Sequence, residues 1–133
     1  MTENKRIAAQ IFERFSASDV PGVLALLADD ATWWLSGKPD LLPSAGSYDK
    51  ARIERLFHRM LSRLESGLKM TVLSAIGEGD EVVLELESVG DLKNGRAYRQ
   101  QYLIRVSLRD GKVAAVREYA DTQHAFDVWF RET

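Results

Sequence analysis

A chain of 133 residues, 45% of them apolar, is the size of one ordinary domain and can bury a core of its own. The absence of cysteine excludes a disulfide framework, a thiolate metal site and a cysteine nucleophile, and two distant histidines suggest no metal site. Lys and Arg total 18 against 20 Asp and Glu, well interspersed, so the chain lacks the basic excess expected of a nucleic-acid binder. Apolar runs are only a few residues long, far short of the ~20 that span a bilayer. No apolar stretch of a secretory signal follows Met1-Thr2-Glu3-Asn4-Lys5-Arg6, so the expectation is a cytoplasmic protein with no membrane contact.

Ile7, Ala8, Ile11, Phe12 and Phe15 recur at helical spacing, which predicts an amphipathic helix from Thr2 to Ser16. Ser18 or Asp19 can cap a second helix, with Pro21 in its first turn and Val23, Leu24, Leu26 and Leu27 on its faces. That helix is expected to stop before Asp29-Asp30. Ala31-Thr32-Trp33-Trp34-Leu35 is β-prone and ends at Ser36-Gly37. Two prolines, two serines and Gly46 mark Lys38 to Tyr48 as a loop, whose Leu41-Leu42 pair implies that it folds back over an apolar surface. Asp49 can cap a third helix with the stripe Ile53, Leu56, Phe57, Met60, Leu61 and Leu64, ended by Gly67.

After Gly67 the apolar period changes from 3.6 to 2. Strands are predicted over Leu68–Ile76, Glu81–Val89, Tyr98–Leu108 and Lys112–Ala120. Asn94-Gly95 and Asp110-Gly111 supply the positive φ angles that tight hairpins require. Consecutive hairpins form a curled antiparallel meander, and the three N-terminal helices are its available cover. A last short helix over Gln123–Phe130 closes the chain, giving a single α+β domain over residues 1–133.

This order of elements resembles the NTF2-like superfamily, a cone-shaped α+β fold. Four stretches are similar to its SnoaL-like and ketosteroid-isomerase-like branch: Leu26 to Trp34, Gly46-Ser47-Tyr48, Gly95-Arg96-Ala97-Tyr98, and Asp110 to Val113 running on to Arg117–Thr122. The resemblance implies a deep apolar cavity between sheet and helices, no cofactor, a small hydrophobic ligand, and a homodimer formed through the outer face of the sheet. It also shows departures. The Arg-x-Asp arrangement of an epoxide hydrolase of this fold is replaced by Arg99-Gln100-Gln101, and the first-strand region where steroid isomerases carry an aspartate reads Trp33-Trp34-Leu35-Ser36.

Within that fold Asp121 is the leading candidate acid or base. On a regular strand it shares a face with Tyr119 and Arg117, and burial in an apolar cavity would raise its pKa toward neutrality. The same carboxylate can instead cap the last helix. Glu118 falls on the opposite, outer face unless a bulge reverses the alternation. Trp33 and Trp34 point to opposite sides, so one of them should line the cavity, where Phe57 is also expected, or the helix–sheet core, in ligand contact or as packing. Tyr48, Tyr98 and Tyr102 could present phenols to a substrate oxygen. Glu85 and Glu87 read as a solvated or interface-facing side, and His58 as a boundary residue. His124 could form a dyad with Asp121. Arg52, Arg55, Arg59 and Arg63 read as a solvated basic ridge. The resulting expectation is a cofactor-independent enzyme that moves a proton on an apolar carbonyl-bearing or oxygenated ring compound, as an isomerase or cyclase does. Asp121 would be its acid/base and Tyr119 or Tyr98 its oxyanion donor. The alternative is a non-catalytic module that binds a small hydrophobic ligand or dimerises.

Overall fold

In a computed structural model describing residues 2–132, four helices pack on one six-stranded curved sheet that does not close into a barrel. Helix α1 (Glu3–Ser16) starts where the Thr2 hydroxyl accepts from the Lys5 N–H, and it buries Ile7, Ile11, Phe12 and Phe15 against the sheet. Helix α2 (Val20–Leu26) is capped by the Asp19 carboxylate, with Pro21 in its first turn. Helix α3 (Lys50–Arg63) is capped by Asp49 and buries Ile53, Leu56 and Phe57. Helix α4 is Thr122–Trp129.

The strands are β1 (Leu27–Leu35), β2 (Gly46–Asp49), β3 (Lys69–Glu78), β4 (Glu81–Asp91), β5 (Ala97–Arg109) and β6 (Lys112–Ala120). Their order across the sheet is β2-β1-β6-β5-β4-β3. The antiparallel meander expected from the hairpin signals runs from β3 to β6, and at Asp110-Gly111 both residues take positive φ (53° and 77°). Strand β1 then pairs in parallel with β6, so the sheet is mixed rather than wholly antiparallel. Local pattern cannot reveal this pairing, because its partners are more than 80 residues apart.

Three boundaries differ from the sequence reading. Strand β1 begins at Leu27, so Asp29 and Asp30 lie within the strand and both are exposed. Gly46–Asp49, whose first three residues read as loop, is an edge strand because its backbone has the free side of β1 to pair with. Helix α3 ends at Arg63 rather than at Gly67, since Leu64 turns extended and bridges Leu92.

One irregularity controls the rest of the molecule. On β5 and β6, Leu108 pairs with Val113 but Ser107 pairs with Ala115, so Ala114 is an extra residue on β6. Such a bulge reverses the alternation beyond it. Val113 faces inward before it, and Val116, Glu118 and Ala120 face inward after it. Arg117 and Tyr119 therefore point away from the core, and Tyr119 is 46% exposed. The expected face of β6 is corrected on that ground.

Candidate active site

The concave side of the sheet, α1, α3, α4 and the β1–β2 loop enclose a cavity of about 280 Å³. That is near the small end of ligand pockets, which run roughly 300–1,000 Å³. Its walls are mainly apolar and aromatic. Phe12 and Phe15 enter from α1, Phe57 and Met60 from α3, and Trp129 and Phe130 from α4 and its end. Trp33 packs edge-on against Phe57 (5.1 Å between ring centres) and Phe12 (6.3 Å). From the loop, Leu42 is buried against the cavity while Leu41 is 69% exposed, so one leucine of the pair folds back as expected.

The one carboxylate among the described residues of the lining is Glu118. Its neighbours across the sheet are Leu35 on β1 and Ile104 on β5, with Val116 and Ala120 one pleat away on its own strand. None of these can solvate a charge. The Trp33 indole N–H donates to Glu118 Oε1 at 3.3 Å and favours the ionised form. Loss of water is the larger effect and favours the neutral form, raising the pKa from an ordinary 4.5 to about 7. Glu118 keeps some accessible surface because it opens on the cavity, whose lining is mainly apolar.

Behind Glu118 lies a buried polar cluster. Tyr102 hydrogen-bonds the Ser88 hydroxyl at 2.8 Å, and the Gln100 amide donates to the Tyr98 hydroxyl oxygen at 3.2 Å. Because Tyr98 accepts there, its own proton is available to another oxygen. Burial raises both phenol pKa values, that of Tyr102 well above the ordinary range, so both remain protonated donors. Tyr48 also lines the cavity, where its hydroxyl donates to the Ser44 carbonyl at 2.7 Å.

The structure separates the residues that the sequence reading grouped together. Trp33, Tyr48, Phe57, Tyr98 and Tyr102 share the cavity wall. Trp34 and Tyr119 do not. They pack on one another on the convex face (5.1 Å), where the Arg117 guanidinium lies 4.0 Å from the centre of the Trp34 ring. Asp121 is exposed, and its carboxylate caps α4 by accepting from the His124 N–H at 3.1 Å. The strand has ended by then, so the alternation argument no longer applies to Asp121. No Asp121–His124 side-chain dyad forms. The His124 ring stacks on Tyr98, and its Nε2 accepts from the Arg99 N–H at 3.0 Å. Gln100, which is almost fully buried, binds both the N–H (3.1 Å) and the carbonyl (2.9 Å) of Asp121 and secures the exit of β6. The sequence signal that could have exposed Glu118 was the bulge, which Ala114-Ala115 does not announce.

Residues 8–116 match the SnoaL-like domain family. The chain belongs to that family. No curated protein is significantly similar in sequence. Among solved structures, this SnoaL-like domain is similar to an NTF2-like protein of unknown function from Burkholderia pseudomallei (TM-score 0.85, 18% identity, covering 98% of this chain and 100% of that one). It is also similar to a putative isomerase from Bacillus subtilis (0.82, 19%, 97% and 96%). A third is an LEH-like epoxide hydrolase from M. tuberculosis (0.76, 19%, 94% and 87%). At these identities the likeness establishes the fold that the SnoaL-like domain shares with them.

Proposed function

We propose that the protein is a cofactor-independent enzyme that moves a proton on a small, largely apolar carbonyl compound bound in the cavity, with Glu118 as the acid/base. The observation that carries this reading is the placement of a lone carboxylate on an apolar cavity wall beside protonated phenols. In its ionised form Glu118 takes a proton from the carbon next to the carbonyl. The negative charge moves to the carbonyl oxygen, and the Tyr98 O–H, free to donate, stabilises it. Return of the same proton to a different carbon completes an isomerisation, whereas attack of the enolate carbon on a second carbonyl, whose oxygen then takes the proton back from Glu118, completes an aldol-type ring closure. The names of solved neighbours, an isomerase and an epoxide hydrolase, agree with small-molecule chemistry in this cavity. Asp121 and Tyr119 drop out of the mechanism because neither lines it.

A second reading has support in the same geometry. A cavity this apolar can hold a hydrophobic molecule without transforming it, and the Asp121 carboxylate bonds the α4 backbone. The proposal includes a homodimer through the convex face, where Leu103 is 53% exposed opposite Tyr119.

The test is solvent deuterium exchange into a panel of small cyclic ketones, followed by NMR, for wild type and Glu118→Gln. General acid–base catalysis typically contributes about 10²–10⁴-fold, so the variant should lose at least about a hundredfold while retaining ligand binding. Equal exchange by the two proteins would refute the proton-transfer reading. Binding with no exchange by either protein would leave the binding module.

A further inference from the structure

The α3 arginines, which the sequence marks as a solvated ridge, are not equivalent. Of the twelve arginines, five are ion-paired (Arg6, Arg99, Arg105, Arg109, Arg131). Arg14, Arg52, Arg63 and Arg96 donate to backbone carbonyls, and Arg117 bonds the Tyr119 hydroxyl and covers Trp34. Among the described residues only Arg55 and Arg59 have guanidinium groups with no hydrogen-bond or ion-pair partner, and only Arg59 of these two lines the cavity. It is exposed, so it stands where the cavity meets solvent. Arg63, four residues on and hence on the same helix face, also lines the opening, but it is held by the Trp129 carbonyl at 2.9 Å and lies against the Trp129 ring.

The position of Arg59 is fixed by what it acts on. Its charge, with that of Arg52, pulls the Tyr48 pKa down against the effect of burial, so Arg59 stands on the Tyr48 side of the cavity. Glu118 has no ion-pair partner, and the one side chain that hydrogen-bonds its carboxylate is Trp33. The cavity therefore has a cationic mouth, an apolar waist and an acid in its wall.

We infer that the ligand is an amphiphile, an apolar body carrying a carboxylate, whose charged end is held at the mouth by Arg59. A guanidinium with all its N–H groups available matches a carboxylate in a two-point pairing. Arg63 keeps its charge but spends a donor on the Trp129 carbonyl, so Arg59 is the lining arginine that offers a free two-point edge to a planar carboxylate. The orientation follows: the carboxylate stays at solvent, where it needs no desolvation, and the reactive part of the body reaches Glu118. This inference rests on the cavity being the substrate site and specifies the class of substrate.

The experiment is titration calorimetry of wild type, Arg59→Gln and Arg55→Gln with 2-naphthoate and its neutral isostere 2-naphthamide. Circular dichroism would verify that each variant is folded. Wild type and Arg55→Gln should bind the carboxylate about tenfold more tightly than the amide at low salt, and the ratio should shrink as salt is added. Arg59→Gln should bind the two alike while its affinity for the amide is unchanged. A wild-type ratio of one, a ratio that survives Arg59→Gln, or no binding of either probe would overturn the inference. No turnover is required, so the outcome is separable from the proton-transfer reading. A wild-type protein with no preference, combined with an inactive Glu118→Gln, removes only the anion site. A preference that holds while Glu118→Gln stays active removes only the acid/base role.

Discussion

Replacing Glu118 with glutamine keeps the shape of the side chain and removes its charge, so it isolates the cost of holding a carboxylate in this cavity. The folded pKa of about 7 against an ordinary 4.5 corresponds to ~3 kcal/mol, at roughly 1.4 kcal/mol per pH unit. The sign follows from proton binding. Between these two values the folded protein holds a proton at Glu118 that the unfolded chain has released. Wild-type stability therefore declines as pH rises past 4.5, and the loss is complete above about 7. Water entering the cavity reduces the effect, so a decline of about 2 kcal/mol relative to Glu118→Gln is the expected result. Urea unfolding at pH 5 and pH 8.5 measures it directly. The two proteins should differ little at pH 5, apart from the Trp33 hydrogen bond, and the glutamine variant should be the more stable at pH 8.5. Parallel pH dependence of the two proteins would mean that Glu118 titrates as it would in water, and both the desolvation argument and the acid/base assignment would fall.

Other consequences can be checked separately. The Trp33 indole lowers the Glu118 pKa, so Trp33→Phe should raise it further and move the rising limb of the pH–rate profile to higher pH. An unmoved limb would show that the indole does not reach the carboxylate. Asp121→Ala should cost about 1 kcal/mol in thermal unfolding through loss of the α4 cap, and should leave exchange chemistry far closer to wild type than Glu118→Gln does. Gln100→Leu removes the partner of the part-buried Asp121 N–H and the buried donor to Tyr98. It should cost about 2 kcal/mol in chemical denaturation, because an orphaned buried group costs roughly 1–3 kcal/mol.

The separation between sequence and structure is visible in particular residues. The stripe from Ile7 to Phe15, the caps at Asp19 and Asp49, and the hairpin at Asp110-Gly111 are local signals, and each corresponds to an element of the structure. They act between residues a few positions apart, so composition and period suffice to read them. The same holds for the SnoaL-like family pattern, because the order of elements is a property of the chain. What only the tertiary structure decided is which chemistry faces the cavity. One extra residue at Ala114 exchanges the two faces of β6, bringing Glu118 in and turning Arg117 and Tyr119 out. The parallel pairing of β1 with β6 brings Trp33 to Glu118 across 85 positions of sequence. The packing of α3 and α4 commits Arg63 to Trp129 and leaves Arg59 at the mouth. Alternation along a strand is a relation between neighbours, whereas a bulge is settled by how the whole sheet must curve around its core.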